Sequence, residues 1–411
     1  MQKLLTIIVL IPTLVFSQIE ENHQINWQTN LLYESNGLNK NFLNTFLYGG
    51  YITNKMKTDW IGADVTDNIF YSELSNGLTY THSKYHFGIS ISDRNILNAS
   101  LPDDLLRFGL EGNLNYQNQT LDFSNTNIRI DRFQQYKLFY TTNSKYLNIG
   151  VGLSYLNGSH HLSYIIDKGS VFTSPYGTTL DINYDMQAFV TDTTSFSAFT
   201  SNGNGLAIDF NTNITLQDYD INLYITDLGF IMWNNESMRL AADSNFNFQG
   251  IVIDNVLAFN DSVLEDNNIQ DTINAKFTKN SSFKSYMPAR FGFSVMHPIT
   301  YKNIKSISAG INVKWQPYHD NKPLSLAKIG QGIVESNYTP LYWISAISTL
   351  TYFDLLSTLS YGGYSADANI GLAVSKGEKY KFILGTQHLE DLLNGDKAKA
   401  ISIYCNLTIQ F

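Results

Sequence analysis

Four charged residues stand where a β-pattern leaves little room for charge, and they are the first candidates for chemistry. Asp209 lies in GLAIDFNTNITLQ, where Leu206, Ile208, Phe210, Ile214 and Leu216 take one face. Successive side chains of a strand point to opposite sides, so Asp209 shares the other face with Asn211 and Asn213. Arg290 opens the strand ARFGFSV opposite Phe291, Phe293 and Val295, and Lys314 falls on the polar face of SISAGINVKW. If those faces line a lumen, Arg290 and Lys314 either bias a pore towards anions as part of a basic ring or pair with a luminal Asp such as Asp209. The ion pair is the preferred reading. Asp227, in YITDLGFIMW with Gly229 and Trp233 nearby, reads as a turn or rim residue, since Asp tolerates turn geometry and Trp suits the headgroup level. Ligand binding is the alternative for Asp227.

Other constellations are missing. The chain has no GxSxG elbow, no HExxH, no GxxxxGK[ST] loop and no EF-hand pattern. His160 and His161 are adjacent and follow the turn signal Asn157-Gly158, which suggests a loop or strand end. Neighbours on a strand face opposite ways and do not readily share one metal. The many serines lack a motif that would single one out as a nucleophile. The only cysteine, Cys405, permits neither a disulfide nor a cysteine-based metal site within one chain. No catalytic residue, metal or cofactor is therefore expected, and the chain does not read as an enzyme. A net charge of -9 and a pI near 5.3 argue against nucleic acid, whose phosphates require a basic surface.

The elements that must position these residues are strands. Charged residues are only 15% of the 411, aromatics reach 14%, and the alternation recurs in KYHFGISISD, KYLNIGVGLSY, TTLDINYDMQAFV, ADANIGLAV and EKYKFILG. The polar face is mostly Asn, Ser, Thr and Gly, and the apolar face carries aromatics near strand ends. A soluble sandwich needs a charged outer face, whereas a membrane barrel meets lipid between aromatic girdles and keeps a polar interior. About 14 segments of roughly 9 to 11 residues suit a tilted membrane-spanning strand, which predicts an all-β, transmembrane, antiparallel β-barrel. Gly88, Gly150, Gly152 and Gly310 fall on the inner face, where missing side chains leave room for a plug or a solute. MQKLLTIIVLIPTLVFS reads as a cleaved signal peptide over residues 1–17, and 18–411 as a single barrel domain. Helical spacing interrupts the alternation near 101–113, 254–277 and 321–334, and more weakly at His388 to Gly395. These stretches read as helices capping a barrel mouth, or as a plug or binding helix. Leu31 to Gly50 reads either as a first strand or as a segment in the lumen. The chain ends on ISIYCNLTIQF, whose Leu407, Ile409 and Phe411 resemble the terminal signal by which the outer-membrane barrel assembly machinery recognises its clients.

LPDDLLRFGLEGN, NGLAIDFNTNI, YITDLGFIMWN followed by FNFQG, and YMPARFGFSV resemble, in that order, landmarks of an uncharacterised outer-membrane β-barrel family, filed as a domain of unknown function. That family is similar in plan to FadL-type transport barrels and to PorV, which works with the type IX secretion system. The resemblance implies a barrel in the outer membrane of a Gram-negative-type bacterium after Sec-type export. It carries no functional residue, and an early Asn-Pro-Ala landmark is missing here. Two functions are expected to compete. One is a transport-class barrel passing or taking up a small solute, a hydrophobic one included. The other is a non-enzymatic membrane platform for secreted or surface proteins. A plug inside the barrel would favour the first, and helices outside it the second.

Overall fold

The computed structural model describes residues 22–61, 65, 67–142, 144–191, 200–248, 275–315 and 337–411. The expected leader 1–17, most of the insert 254–277 and all of 321–334 lie outside the described residues.

The strands in chain order are β1 (His23–Ser35), β2 (Asp67–His82), β3 (Phe87–Pro102), β4 (Thr120–Asp122), β5 (Thr126–Thr141), β6 (Leu147–Thr173), β7 (Leu180–Val190), β8 (Gly203–Leu216), β9 (Tyr219–Trp233) and β10 (Met238–Phe248). They continue with β11 (Ala275–Lys279), β12 (Phe283–Tyr286), β13 (Ala289–Tyr301), β14 (Ile304–Trp315), β15 (Thr339–Thr349), β16 (Asp354–Gly363), β17 (Asp367–Lys376), β18 (Tyr380–Thr386) and β19 (Ala400–Gln410). Antiparallel pairing runs β1-β2-β3-β5-β6-β8-β9-β13-β14-β15-β16-β17-β18-β19 and returns to β1, which closes a barrel of 14 strands. Among the described residues no helix is long and apolar enough to cross a membrane. The alternating end of the chain closes the ring: Ile25 lies opposite Ile409 and Trp27 opposite Leu407. The Phe411 ring stacks on His23.

The two ends of the barrel differ. At one end β8 turns into β9 through Gln217 and Asp218, and β13 into β14 through Lys302 and Asn303, with Gln217 and Lys302 at positive φ as two-residue hairpins require. The opposite end carries the long excursions. There β6, with 27 residues, outgrows its neighbours. Its Leu147–Gly158 part pairs with β8, and Leu162–Thr173 pairs with β7, which in turn pairs with β10. A strand of that length extends up to ~90 Å, far more than a bilayer crossing needs, so this sub-sheet stands beyond the lipid belt. The expectation of a loop or strand end at Asn157 to His161 is corrected here. The strand runs through these residues, and a bulge opposite Arg132 and Phe133 absorbs the extra residue.

Lipid-facing and luminal residues separate as the alternation predicts. Leu138 is 62% exposed and Leu359 58%, while Phe133 and Leu156 on the opposite parity are fully buried. The lumen is filled at the long-loop end by Tyr71, Ile96, Phe133, Leu156, Ile231, Trp233, Phe283 and Tyr364 in one apolar cluster. The glycines foreseen as open space are already occupied: the Phe139 ring lies over Gly88, Asn211 over Gly150 and Trp343 over Gly310.

The helices stand outside the lumen. Asn39 caps α1 (Lys40–Tyr48) by accepting the Phe42 N–H at 3.2 Å and also accepts the Trp60 indole N–H at 3.1 Å, which fixes α2 (Asn54–Ile61) against α1. Pro102 and the acidic first turn start α3 (Asp103–Glu111), and Gly112 at φ 77 ends it. Trp60 and Leu106 pack with Tyr33, Phe70, Ala99, Leu97 and Ile401, all on the outward parity of the wall. Leu31 to Gly50 is thus neither wholly strand nor luminal: it leaves the wall at Ser35 and folds outside it.

Near the same end β17 and β19 part above the short β18. The gap is bridged by α4 (Leu389–Asn394), whose Glu390 and Asp391 carboxylates accept the backbone N–H groups of Ile370 and Ala400, each at 2.7 Å. Side chains thus satisfy edges that a ladder would otherwise pair.

Candidate functional site

The functional candidates gather in the lumen beneath the apolar cluster. Glu73, on the inner face of β2, accepts the Tyr71 hydroxyl at 2.6 Å, Arg94 at 2.9 Å and Arg290 at 2.7 and 2.8 Å. Lys314 reaches it at 3.9 Å. Arg94 also donates to Asp227 at 2.7 Å, and Gln135 bridges Asp227 at 3.1 Å to the Ser154 hydroxyl at 2.9 Å. The Asp227 N–H donates to Asp209 at 2.7 Å, and Asp209 pairs with Lys137. Glu73, Arg94, Asp227 and Lys314 have side chains no more than 8% exposed, whereas Arg290 is 37% exposed and faces the cavity below. The Lys314 ammonium sits 3.5 Å from the centroid of the Tyr71 ring and 5.0 Å from that of Tyr364, so a desolvated cation meets two ring faces as well as a carboxylate.

Asp209, Asp227, Arg290 and Lys314 all lie on the luminal side. Arg290, Lys314 and Asp227 join one network, to which Asp209 is linked through the Asp227 backbone. Two expectations change. Arg290 and Lys314 form neither a free basic ring nor a pair with Asp209, because Glu73 lies between them and Lys137 holds Asp209. Asp227 is not a rim residue. It sits within β9 at φ 62, where the β8–β9 register shifts between Ile208 and Phe210, and the bulge turns its carboxylate inward to Arg94. Glu73, Arg94 and Gln135 were missed. Their signal was a charge among Ser and Gly on the inner parity of YSELSNGLTY and SISDRNIL, and an amide beside Phe133 and Lys137 on that of RFQQYKLFY.

Below this layer lies a cavity of about 190 Å³ lined by Gln28, Ser75, Ser92, Thr226 and the charged network. A second, of about 290 Å³, shares Gln28, Ser90, Lys137 and Thr226 with it and reaches Tyr140 and Thr141 at the tight-turn end of β5.

Two buried polar sets sit elsewhere. Arg129 and His161 both pair with Asp131, at 2.6 and 2.7 Å, and Arg129 donates to the Tyr286 carbonyl at 2.6 Å, beside Trp233 and Phe283. His161 is therefore a luminal hydrogen-bond partner of Asp131 in the wall. Ser402, His388 and Glu34 stand in line like a hydrolytic triad, with contacts of 3.0 and 3.2 Å. Ser402 is only 1% exposed and already accepts the Gln387 N–H, while Glu34 accepts the Tyr364 N–H. A nucleophile needs access and this serine has none, so the set works as a clamp tying the 387–399 loop and the β16–β17 turn to β1 and β19. Among the described residues no cluster of His, Cys, Asp and Glu could hold a metal ion.

Solved structures with similar barrels include the Pseudomonas putida toluene transporter TodX, at 8% identity and a TM-score of 0.42, covering 96% of this chain and 91% of that one. The Ralstonia pickettii toluene transporter TbuX matches at 9% identity and 0.39, covering 95% and 89%. The translocator domain of the Neisseria meningitidis autotransporter NalP matches at 8% and 0.35, covering 100% and 95%. Similarity at this level does not extend to solute or mechanism. No curated protein matches the chain. Residues 6–386 match the family described as "Family of unknown function (DUF5723)", and the chain belongs to that family.

Proposed function

We propose that the protein is a transport-class barrel of the bacterial outer membrane, in which a small solute occupies the lumen beneath a closed roof. The observation that carries this reading is the pair of polar cavities held under the Glu73 network and the apolar cluster. A barrel serving only as a membrane anchor has no need of open, polar-lined space in its lumen. Outer-membrane barrels keep short turns on the periplasmic side and long loops outside, so the cavities face the periplasm and the roof faces the exterior. Lipid contacts the outward face, and the assembly machinery reads Leu407, Ile409 and Phe411. Of the solutes expected, the hydroxyl- and amide-rich lining favours a polar one over a hydrophobic one.

A second reading, the protein-docking platform, rests on the position of α1 to α3 outside the wall, with Tyr48, Tyr51, Leu114 and Tyr176 exposed at the long-loop end. Planar-bilayer conductance separates the two. Wild type should be closed or nearly so, and Phe133→Ala with Trp233→Ala should open steps by removing two rings from the roof. A silent bilayer for both, with a heat-shifted folded band on gels, would leave the platform as the function.

A further inference from the structure

The two cavities differ from an ion site in where their spare hydrogen-bonding capacity lies. The charged side chains that line them contact opposite charges: Arg94 with Glu73 and Asp227, Arg290 with Glu73, Lys137 with Asp209. Part of the neutral lining is left over. Among the described residues, the side chains of Gln28, Ser75, Ser92 and Thr226 have no protein hydrogen-bond partner, and all four border the first cavity. Gln28 lies over Gly77, its partner on β2, which in turn pairs with Ser92, so the amide rests where a Cβ on residue 77 would crowd it. Phe139 lines the second cavity with its ring laid flat over Gly88, which turns the other ring face towards the lumen.

We propose that this lumen binds a small neutral polyhydroxylated solute, a sugar ring or polyol. The inference rests on the transport-class reading and names its solute class. A charged solute would meet cations and carboxylates already matched to one another, and a hydrocarbon would strip water from four amide or hydroxyl groups without replacing their bonds. Hydroxyls can do both jobs the lining asks for. They accept from the guanidinium N–H groups that carboxylates leave over, and they exchange bonds with Gln28, Ser75, Ser92 and Thr226. A sugar ring also has an apolar C–H face, which suits the negative face of the Phe139 ring. The smaller cavity has room for one ring, and its overlap with the second allows a disaccharide to extend towards Tyr140.

The test uses the full-length folded protein in a zwitterionic detergent, since a maltoside would occupy the site itself. Saturation-transfer NMR and calorimetry are run with glucose and maltose, and toluene serves as the competitor. Saturable sugar binding is expected, weakened about tenfold by Gln28→Ala together with Phe139→Leu and unaffected by toluene. Lack of saturable binding of either sugar, or binding that survives both substitutions in a barrel shown to be folded, overturns the inference. Liposome swelling in the roof-opened Phe133→Ala, Trp233→Ala variant reports on the transport reading separately. Sugar binding without swelling for any solute would sink transport and keep the site, and swelling without sugar binding would do the reverse.

Discussion

Replacing Glu73 by Gln should destabilise the barrel strongly. The carboxylate is 3% exposed and receives two guanidinium groups and a tyrosine hydroxyl within 3 Å, with an ammonium at 3.9 Å. Glutamine keeps the volume but loses the charge, and it adds two donors where four donors already converge. Arg94 retains Asp227, but Arg290 and Lys314 lose the carboxylate they contact. Breaking a buried ion pair by removing one partner costs about 3–5 kcal/mol. Arg290 is over a third exposed, so its share is screened and the lower end applies, about 3 kcal/mol. That corresponds to a shift of roughly a hundredfold or more in the unfolding equilibrium. Urea unfolding in lipid vesicles, followed by tryptophan fluorescence, measures it, and Glu73→Gln combined with Arg290→Gln should recover part of the loss because one stranded cation is gone. A Glu73→Gln barrel with an unchanged midpoint, or a double variant that is merely additive, would show that the network is not coupled as drawn.

The wall and the clamp give further expectations. Leu359→Arg, on the lipid face, should cost about 2–4 kcal/mol if it lies near the bilayer midplane, while Thr358→Arg, one residue away on the luminal side, should cost much less. Comparison of their urea midpoints tests the assignment of faces. His388→Ala should take one buried contact each from Glu34 and Ser402, at a cost of about 1–3 kcal/mol, and make the 387–399 loop the first site of protease cleavage, with the barrel below it still resistant. Trp60→Ala removes the ring that joins α2 to Asn39 and the outer wall, a loss of about 3–5 kcal/mol of packing. It should appear as faster hydrogen exchange in α1 and α2 alone, since the closed wall does not depend on them.

The strand alternation carried most of the architecture. Side-chain parity is a local property of extended backbone, so the inward placement of Asp209, Arg290 and Lys314, the outward placement of Leu407 and Ile409 and a wall of about 14 strands were all readable from the sequence. What it could not supply was partnership. Glu73 and Arg290 are 217 positions apart and meet across the lumen, and only the closure and stagger of the ring decide which inner faces confront one another. The same holds for Asp227, whose left-handed bulge reverses the reading that its Gly and Trp neighbours suggest, and for His161, carried through an apparent turn by a strand longer than any membrane requires. The inner glycines were read correctly as missing side chains but not as space already taken by Phe139, Asn211 and Trp343. Periodicity within a strand sets which way a residue points; what it points at depends on strands remote in sequence, and that was decided only when β19 paired with β1.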